Sequence, residues 1–220
     1  MNSISWWEEI LNHMTALLSL HYLPCIEYFA CFVKYDKILL EASENYTKQS
    51  YRNRCLIKSS QRIDILSVPV CKDGRHIPIK EVRIDYSQGW VKDHWRGIQS
   101  AYGKSPYFEH YVDLFENVFK KSPTYLFDLN YELLTLCLDL LQIDAAMSFT
   151  VDYQPSAENG LLDYRMSIHP KNSYLNNDIL RPCIYPQVFG SNFAENLSII
   201  DLLFCEGPNA RHILNQSTSQ

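Results

Sequence analysis

The chain alternates apolar and polar stretches in a way that assigns most of its elements. ALLSLHYL (residues 16–23) is an apolar run of strand length stopped by Pro24, and CIEYFACFVKYD then sets Ile26, Phe29, Ala30 and Val33 at helical spacing. KILLEA follows as a short buried strand. Strand, helix and strand with short connections predict a parallel βαβ unit. NRCLIKSSQRIDILSVPV reads as two strand-like runs around a Lys-Ser-Ser-Gln turn, a hairpin. HIPIKEVRIDY alternates Ile77, Ile79, Val82 and Ile84 with one slip in phase, which predicts a half-buried strand with a bulge or bend.

Helices come next. QGWVKDHWRGIQSAYG carries Val91, Trp95, Ile98 and Tyr102 on one stripe, with Gly103 as its C-cap. YFEHYVDLFENVFKK and YLFDLNYELLTLCLDLLQI continue the helical block, the second with Asp128 as the expected cap and Leu126, Leu129, Leu133, Leu136 and Leu140 as its apolar face. AMSFTVDY is a strand, and residues 155–195 read as a long polar loop or one holding a short strand. Ser198 starts the helix IIDLLFCE, Gly207-Pro208 stops it, and PNARHIL makes a last short helix. Residues 5–12 predict an acidic amphipathic turn or two, with Met14 as a second possible start. The fold class is α/β: one domain with a Rossmann-like βαβ start, a β-hairpin insertion and a helical block, with α+β as the alternative. An extension at 1–13, a domain at 14–214 and a flexible tail at 215–220 complete the expected organisation.

Composition narrows the function classes. At 220 residues, 46% apolar and 20% charged, the chain suits a single globular core. A net charge of −5 offers no electrostatic footprint for nucleic acid or for a membrane surface. No window is long and apolar enough to span a bilayer, and the acidic start lacks a basic signal region. The seven cysteines are odd in number, scattered and without a Cys-x-x-Cys pair, which fits a reduced cytoplasm and argues against structural zinc. Dinucleotide fingerprints, Walker loops, nucleophile elbows and His-Glu-x-x-His helices are all missing.

Candidate chemistry gathers in three places. HYLPCIEYF follows the first strand, where open α/β sheets hold ligands, so Tyr22, Glu27 and Tyr28 are candidates by position. ENYTKQSYRNRC follows the second strand and brings Glu44, Lys48, Tyr51, Asn53 and Arg54, with Tyr46 interleaved. Guanidinium suits phosphate or carboxylate, amides suit hydroxyls, and rings stack on sugar faces. The bland alternative is a solvated loop whose Arg52 or Arg54 pairs with Glu41 or Glu44 at little gain. The helix GWVKDHWRGIQSAYGK offers His94, Trp95, Tyr102 and Lys104, with His94 the natural acid–base group. Cys25, at a helix start, is read as a structural thiol rather than a nucleophile.

HYLPCIEYF, the Asn53-Arg54 pair, His94-Trp95 and AYGKSPYF, followed by FDLN and LSIIDLLFCEGPNA, resemble the WbqC-like protein family in order and spacing over roughly residues 16–214. Many members of that family carry Gln-Pro where this chain has Leu20-His21. The resemblance implies a cytoplasmic bacterial protein of O-antigen or other surface-polysaccharide synthesis. It also implies an amino-acid transfer, with glycine as one donor, onto a nucleotide-linked amino sugar. On that reading His94 or Glu44 is the base, and Tyr22, Tyr28, Lys48, Tyr51, Asn53, Arg54, Trp95, Tyr102 and Lys104 bind substrate. ENYTKQSYRNRC then faces HYLPCIEYF over the strand ends, and the HWRGIQSAYGK helix closes a common pocket. The alternative is a non-catalytic sugar- or protein-binding module. The ligand is expected to be a sugar or nucleotide-sugar, with a cofactor and a homo-oligomer both left open.

Overall fold

The computed structural model describes residues 15–71, 74, 76–153, 161–190 and 192–219. The expectations for residues 5–12 and Met14 lie outside them. Strand β1 (Thr15–Ser19), helix α1 (Ile26–Lys34) and strand β2 (Lys37–Glu41) form the predicted parallel βαβ unit, with Leu17 opposite Leu39. Strand β5 (Ala146–Phe149) adds in parallel outside β2, and β6 (Leu161–Asp163) adds in parallel on the other side of β1. The order β5-β2-β1-β6 therefore runs third, second, first, fourth in chain sequence. The chain runs from β1 outward through β2 to β5 and then crosses back to β6 on the other side of β1, so a topological switch point lies between the carboxyl ends of β1 and β6. The polar stretch 155–195 thus supplies a short sheet strand, the second of the two forms expected of it.

The hairpin is present as β3 (Arg54–Lys58) and β4 (Ile63–Ser67), antiparallel and forming a separate sheet. Cys55, Ile57 and Leu66 face inward, while Ile63 and Ile65 are exposed. Helices α2 (Trp90–Tyr102), α3 (Phe108–Lys120) and α4 (Leu126–Leu140) form the helical block. Helix α5 (Ile199–Glu206) is apolar almost all round, and seven of its eight residues are buried. A helix with that composition belongs in the middle of a core, and α5 indeed contacts α1, α2, α3, α4 and α6 (Ala210–Ser217).

Three local expectations need correction, and Ser198 shows how one that holds is met. HIPIKEVRIDY is not a strand: Ile79–Glu81 form one 3-10 turn, and the rest makes only the single bridges Asn45–Pro78, Val70–Ile84 and Arg83–Tyr125. The slip in its alternation is that turn, which buries Ile79 and Val82 on one side, and Pro78 has no N–H for a ladder. The N-cap of α4 is Tyr125, with Asp128 in the first turn, where a carboxylate favours the helix dipole without capping. Ser198 does start α5, but its hydroxyl donates to the Leu23 carbonyl instead of capping. Residues 215–219, expected as part of a frayed tail, are docked: α6 runs to Ser217, Thr218 bridges Leu180, and Ser219 N–H donates to the Ile179 carbonyl.

Candidate functional site

The carboxyl edge of the parallel sheet is built from buried ions. Glu41, at the end of β2 and wholly buried, accepts from Arg165 at 2.8 Å and from the Thr150 hydroxyl at 2.6 Å. Arg165, just beyond β6, also grips Asp163. The second cluster is Arg52 with Glu44: Nε to Oε1 at 2.7 Å and Nη2 to Oε2 at 2.5 Å, both residues buried. Ser19, ending β1, accepts from Arg52 at 2.7 Å and donates to Glu44 at 3.1 Å. The polar segment 44–54 is thus anchored across the strand ends by its own ion pair. This is the pairing foreseen for a solvated loop, placed in the interior, where removing one partner is expensive.

Backbone bonds complete the anchoring. Tyr22 N–H donates to the Tyr51 carbonyl, Asn130 Nδ2 to the Arg52 carbonyl and Asn53 Nδ2 to the Val68 carbonyl. What the anchored segment leaves open is a cleft of about 610 Å³ between residues 46–54 on one side and Val70, Cys71, Gly74, His76, Ile77 and Val82 on the other. Lys48, Asn53 and Arg54 line it, together with Tyr46, Gln49 and His76. Lys48 and Arg54 make no hydrogen bond or ion pair with any described residue, and Arg54 Nε and Asn53 Oδ1 are buried without a partner. Burial raises the Tyr46 phenol, against the opposing pull of Arg54 and Arg52. A positive, amide-bearing wall beside an aromatic ring can hold an anionic, hydroxyl-rich ligand.

The other expected site residues are elsewhere. His94 is buried, its Nδ1 bonded to the Tyr22 hydroxyl at 2.9 Å and its Nε2 to the Ser67 carbonyl at 3.2 Å. Desolvation lowers its pKa to about 4. The carbonyl only accepts, so Nε2 carries the proton and Nδ1 accepts from Tyr22. Tyr28 and Tyr51 are buried near the end of β1, and Tyr102 packs on Phe204 with its hydroxyl near Lys58 N–H. Trp95 lines an apolar cavity with Trp90 and Phe119 between α2 and α3, and Lys104 lines a third cavity beside Pro186 and Phe189. The single pocket expected to collect Tyr22, Arg54, His94 and Lys104, closed by α2, is therefore not formed. Polar spacing marks chemistry but does not tell which side chains the core absorbs.

Sequence reasoning passed over Gln49 and His76 in the cleft, and Asp163 and Arg165 in the ion clusters. For His76 the available signal is the turn-forming Asp-Gly in CKDGRH. For Arg165 no local signal exists, because its partner Glu41 is 124 residues away. Cys25 is buried and its thiol pushed up by desolvation, in line with a structural role.

A parallel sheet ordered about a switch point, with helices packed around it, makes the chain a single-domain α/β protein. Over residues 20–179 and 170–213 it matches the WbqC-like protein family, and it belongs to that family. Among curated proteins it is 31% identical over 141 residues to the "Uncharacterized protein Rv1507c" of Mycobacterium tuberculosis (strain ATCC 25618 / H37Rv), covering 63% of this chain and 61% of that protein. No solved structure matches the chain. Among the described residues no helix is long and apolar enough to cross a membrane, and no cluster of three or more His, Cys, Asp or Glu could hold a metal ion.

Proposed function

We propose that the protein is a transferase of bacterial surface-polysaccharide synthesis, O-antigen included, that moves an amino acid onto a nucleotide-linked amino sugar in the cytoplasm. The observation that carries this reading is a pair of cations on one cleft wall, Lys48 and Arg54, whose side chains have no partner among the described residues. Together they match a diphosphate in charge, with Arg54 as the fork and Lys48 as a point charge. Asn53 and Gln49 pair with hydroxyls, and the Tyr46 ring lies beside the sugar or base. Acyl transfer to an amine needs a base for the amine proton and donors for the oxyanion. His76 is the imidazole of the cleft: it takes the proton of the amine as the new amide C–N bond forms, and returns it to the leaving group of the activated amino acid as the bond from that group to the acyl carbon breaks, while backbone N–H groups of the cleft wall stabilise the oxyanion. His94 and Glu44, the bases expected from the motif, have their bonding positions filled inside the protein. Both act by positioning the segments that carry the site.

That same commitment of His94 and Glu44 favours a second reading, a non-catalytic sugar- or protein-binding module. Mass spectrometry of nucleotide-linked amino sugars incubated with activated amino acids separates the two. Aminoacylated product that disappears in His76→Gln supports the transferase; tight nucleotide-sugar binding with no product from any donor supports the module. No binding of any nucleotide or nucleotide-sugar removes the transferase and the nucleotide-sugar-binding form of the module.

A further inference from the structure

The cavity between α2 and α3 measures about 610 Å³ and shares no lining residue with the polar cleft. Its walls are aromatic: the Trp90 ring meets Phe119 edge-on at 5.9 Å between centroids, and Trp95 meets Phe119 at 5.5 Å. Tyr86 packs on Trp90 at 5.8 Å. A volume of this size with apolar walls suits a small organic molecule.

The polar groups on those walls decide which kind. The Tyr86 hydroxyl donates to the Pro123 carbonyl at 2.9 Å, and Glu116 is paired with Lys120 at 3.0 Å. The Ser122 hydroxyl donates to the Phe119 carbonyl at 3.5 Å. Two groups are left over. Trp90 is 4% exposed, and its indole Nε1–H has no partner among the described residues. A buried donor in that state costs its full desolvation. Lys92 likewise makes no hydrogen bond or ion pair with any described residue. Both groups are donors and neither can accept. The molecule that completes this cavity therefore brings acceptor oxygens.

The backbone adds a preference of charge. Gly89, Trp90, Val91 and Lys92 line the cavity and form the N-cap and first turn of α2, a helix of 13 residues. Gly89 lies in the left-handed region at φ 62° and has no side chain to cap the first N–H groups. The positive end of the helix dipole thus stands on the same wall as the Lys92 ammonium and the indole N–H. An aromatic cavity can also hold an organic cation, but here two ammonium groups and a helix start oppose one, and Glu116 is already taken by Lys120. Asp93, in the same first turn, does not line the cavity and lies 3.7 Å from Arg96.

We infer that this cavity is a binding site for a small carboxylic acid with a compact apolar body. The carboxylate sits at the start of α2 with Lys92 and the Trp90 Nε1–H, and the body packs against Trp95 and Phe119. The site stands apart from the nucleotide-sugar reading of the cleft and neither needs it nor supports it.

The test uses the full chain and 4-cyclohexylbutyrate, an apolar acid without a ring current, beside its neutral twin 4-cyclohexyl-1-butanol and its cationic twin 4-cyclohexylbutylamine. The indole N–H groups are followed in ¹⁵N–¹H spectra and affinities are taken from isothermal titration. The chain has four tryptophans, and the Trp90 signal is the one missing from Trp90→Phe. The acid is expected to move the Trp90 N–H proton downfield and to bind about tenfold more tightly than the alcohol, as for one added polar contact. Lys92→Gln, a change on an exposed side chain, should weaken the acid by about tenfold and leave the alcohol and Tm unchanged. No binding of the acid overturns the site, as does binding that leaves the Trp90 N–H unmoved. Alcohol or amine bound as tightly as the acid overturns it, and so does acid affinity unchanged in Lys92→Gln.

Discussion

Arg52 and Arg54 are two residues apart and have opposite fates. Arg52 is among the largest fully buried side chains, clamped by both oxygens of Glu44 and by Ser19. Arg54 opens β3, lines the cleft and has a buried Nε without a partner among the described residues. Both sit in a segment that in sequence is uniformly polar. One charge is neutralised in the interior and fixes where the segment lies; the other faces the cleft with no partner among the described residues, as the proposed binding role requires. Charge density in a sequence therefore says less about ligand binding than the pairing state of each charge.

The comparison is broken most severely by removing the internal partner. Glu44→Gln leaves the Arg52 guanidinium buried with its counter-charge gone, and a cost of about 3–5 kcal/mol is expected. In a chain of this length that lowers Tm by on the order of 10 °C, measured by circular dichroism or calorimetry. The double variant Glu44→Gln with Arg52→Met should recover most of the loss, because it removes the stranded charge too. Equal destabilisation in the single and double variants would show that the pair is not what anchors the segment.

Acid should act on the interior before the cleft. The His94 pKa falls to about 4 through burial, below the ordinary value of about 6.5. The unfolded chain therefore binds the extra proton first, and stability contributed by the neutral ring is complete above about pH 6.5 and is lost as pH falls toward 4. The lowered pKa corresponds to a loss of up to about 3 kcal/mol, read as a slope in urea midpoint between pH 7 and pH 4. His94→Phe should flatten that slope. A slope unchanged by the substitution assigns it to other groups, with His21, whose pKa burial also lowers, the first to examine.

Within the same interior, Tyr22→Phe takes the donor from His94 Nδ1 and leaves a buried acceptor unpaired. The expected cost is about 1–3 kcal/mol, smaller than for Glu44→Gln because no net charge is stranded. Urea denaturation at pH 7 checks it. A neutral result would mean that the imidazole adopts the other tautomer or finds another donor.

Much of this fold is legible along the chain because its helices and βαβ unit are local. Ile26, Phe29 and Ala30 are buried as their spacing predicts, and so are Leu126, Leu129 and Leu133. HIPIKEVRIDY misleads because a 3-10 turn and an interrupted strand bury apolar residues at similar intervals. The site was legible only in part. Lys48, Asn53 and Arg54 do share a cleft, whereas Tyr22, His94 and Tyr102 are held in the core by partners such as Phe119 and Phe204. Those partners are distant in sequence, and no periodicity announces them.

The smallest structural effect carries the sharpest functional meaning. Arg54→Gln and Lys48→Gln remove no bond to any described residue, and stability should stay within about 0.5 kcal/mol of the parent. Nucleotide-sugar binding, by contrast, should fall in both and more steeply for Arg54, whose planar fork holds two phosphate oxygens where Lys48 holds a point charge. Binding to the parent should weaken with salt, and the salt dependence should shrink in each variant, because a cation on an open wall is screened while one held in the interior is much less so. Isothermal titration at two ionic strengths reads both quantities. If Arg54→Gln destabilises as Glu44→Gln does, Arg54 is a structural charge like Arg52, and the distinction between the two arginines fails.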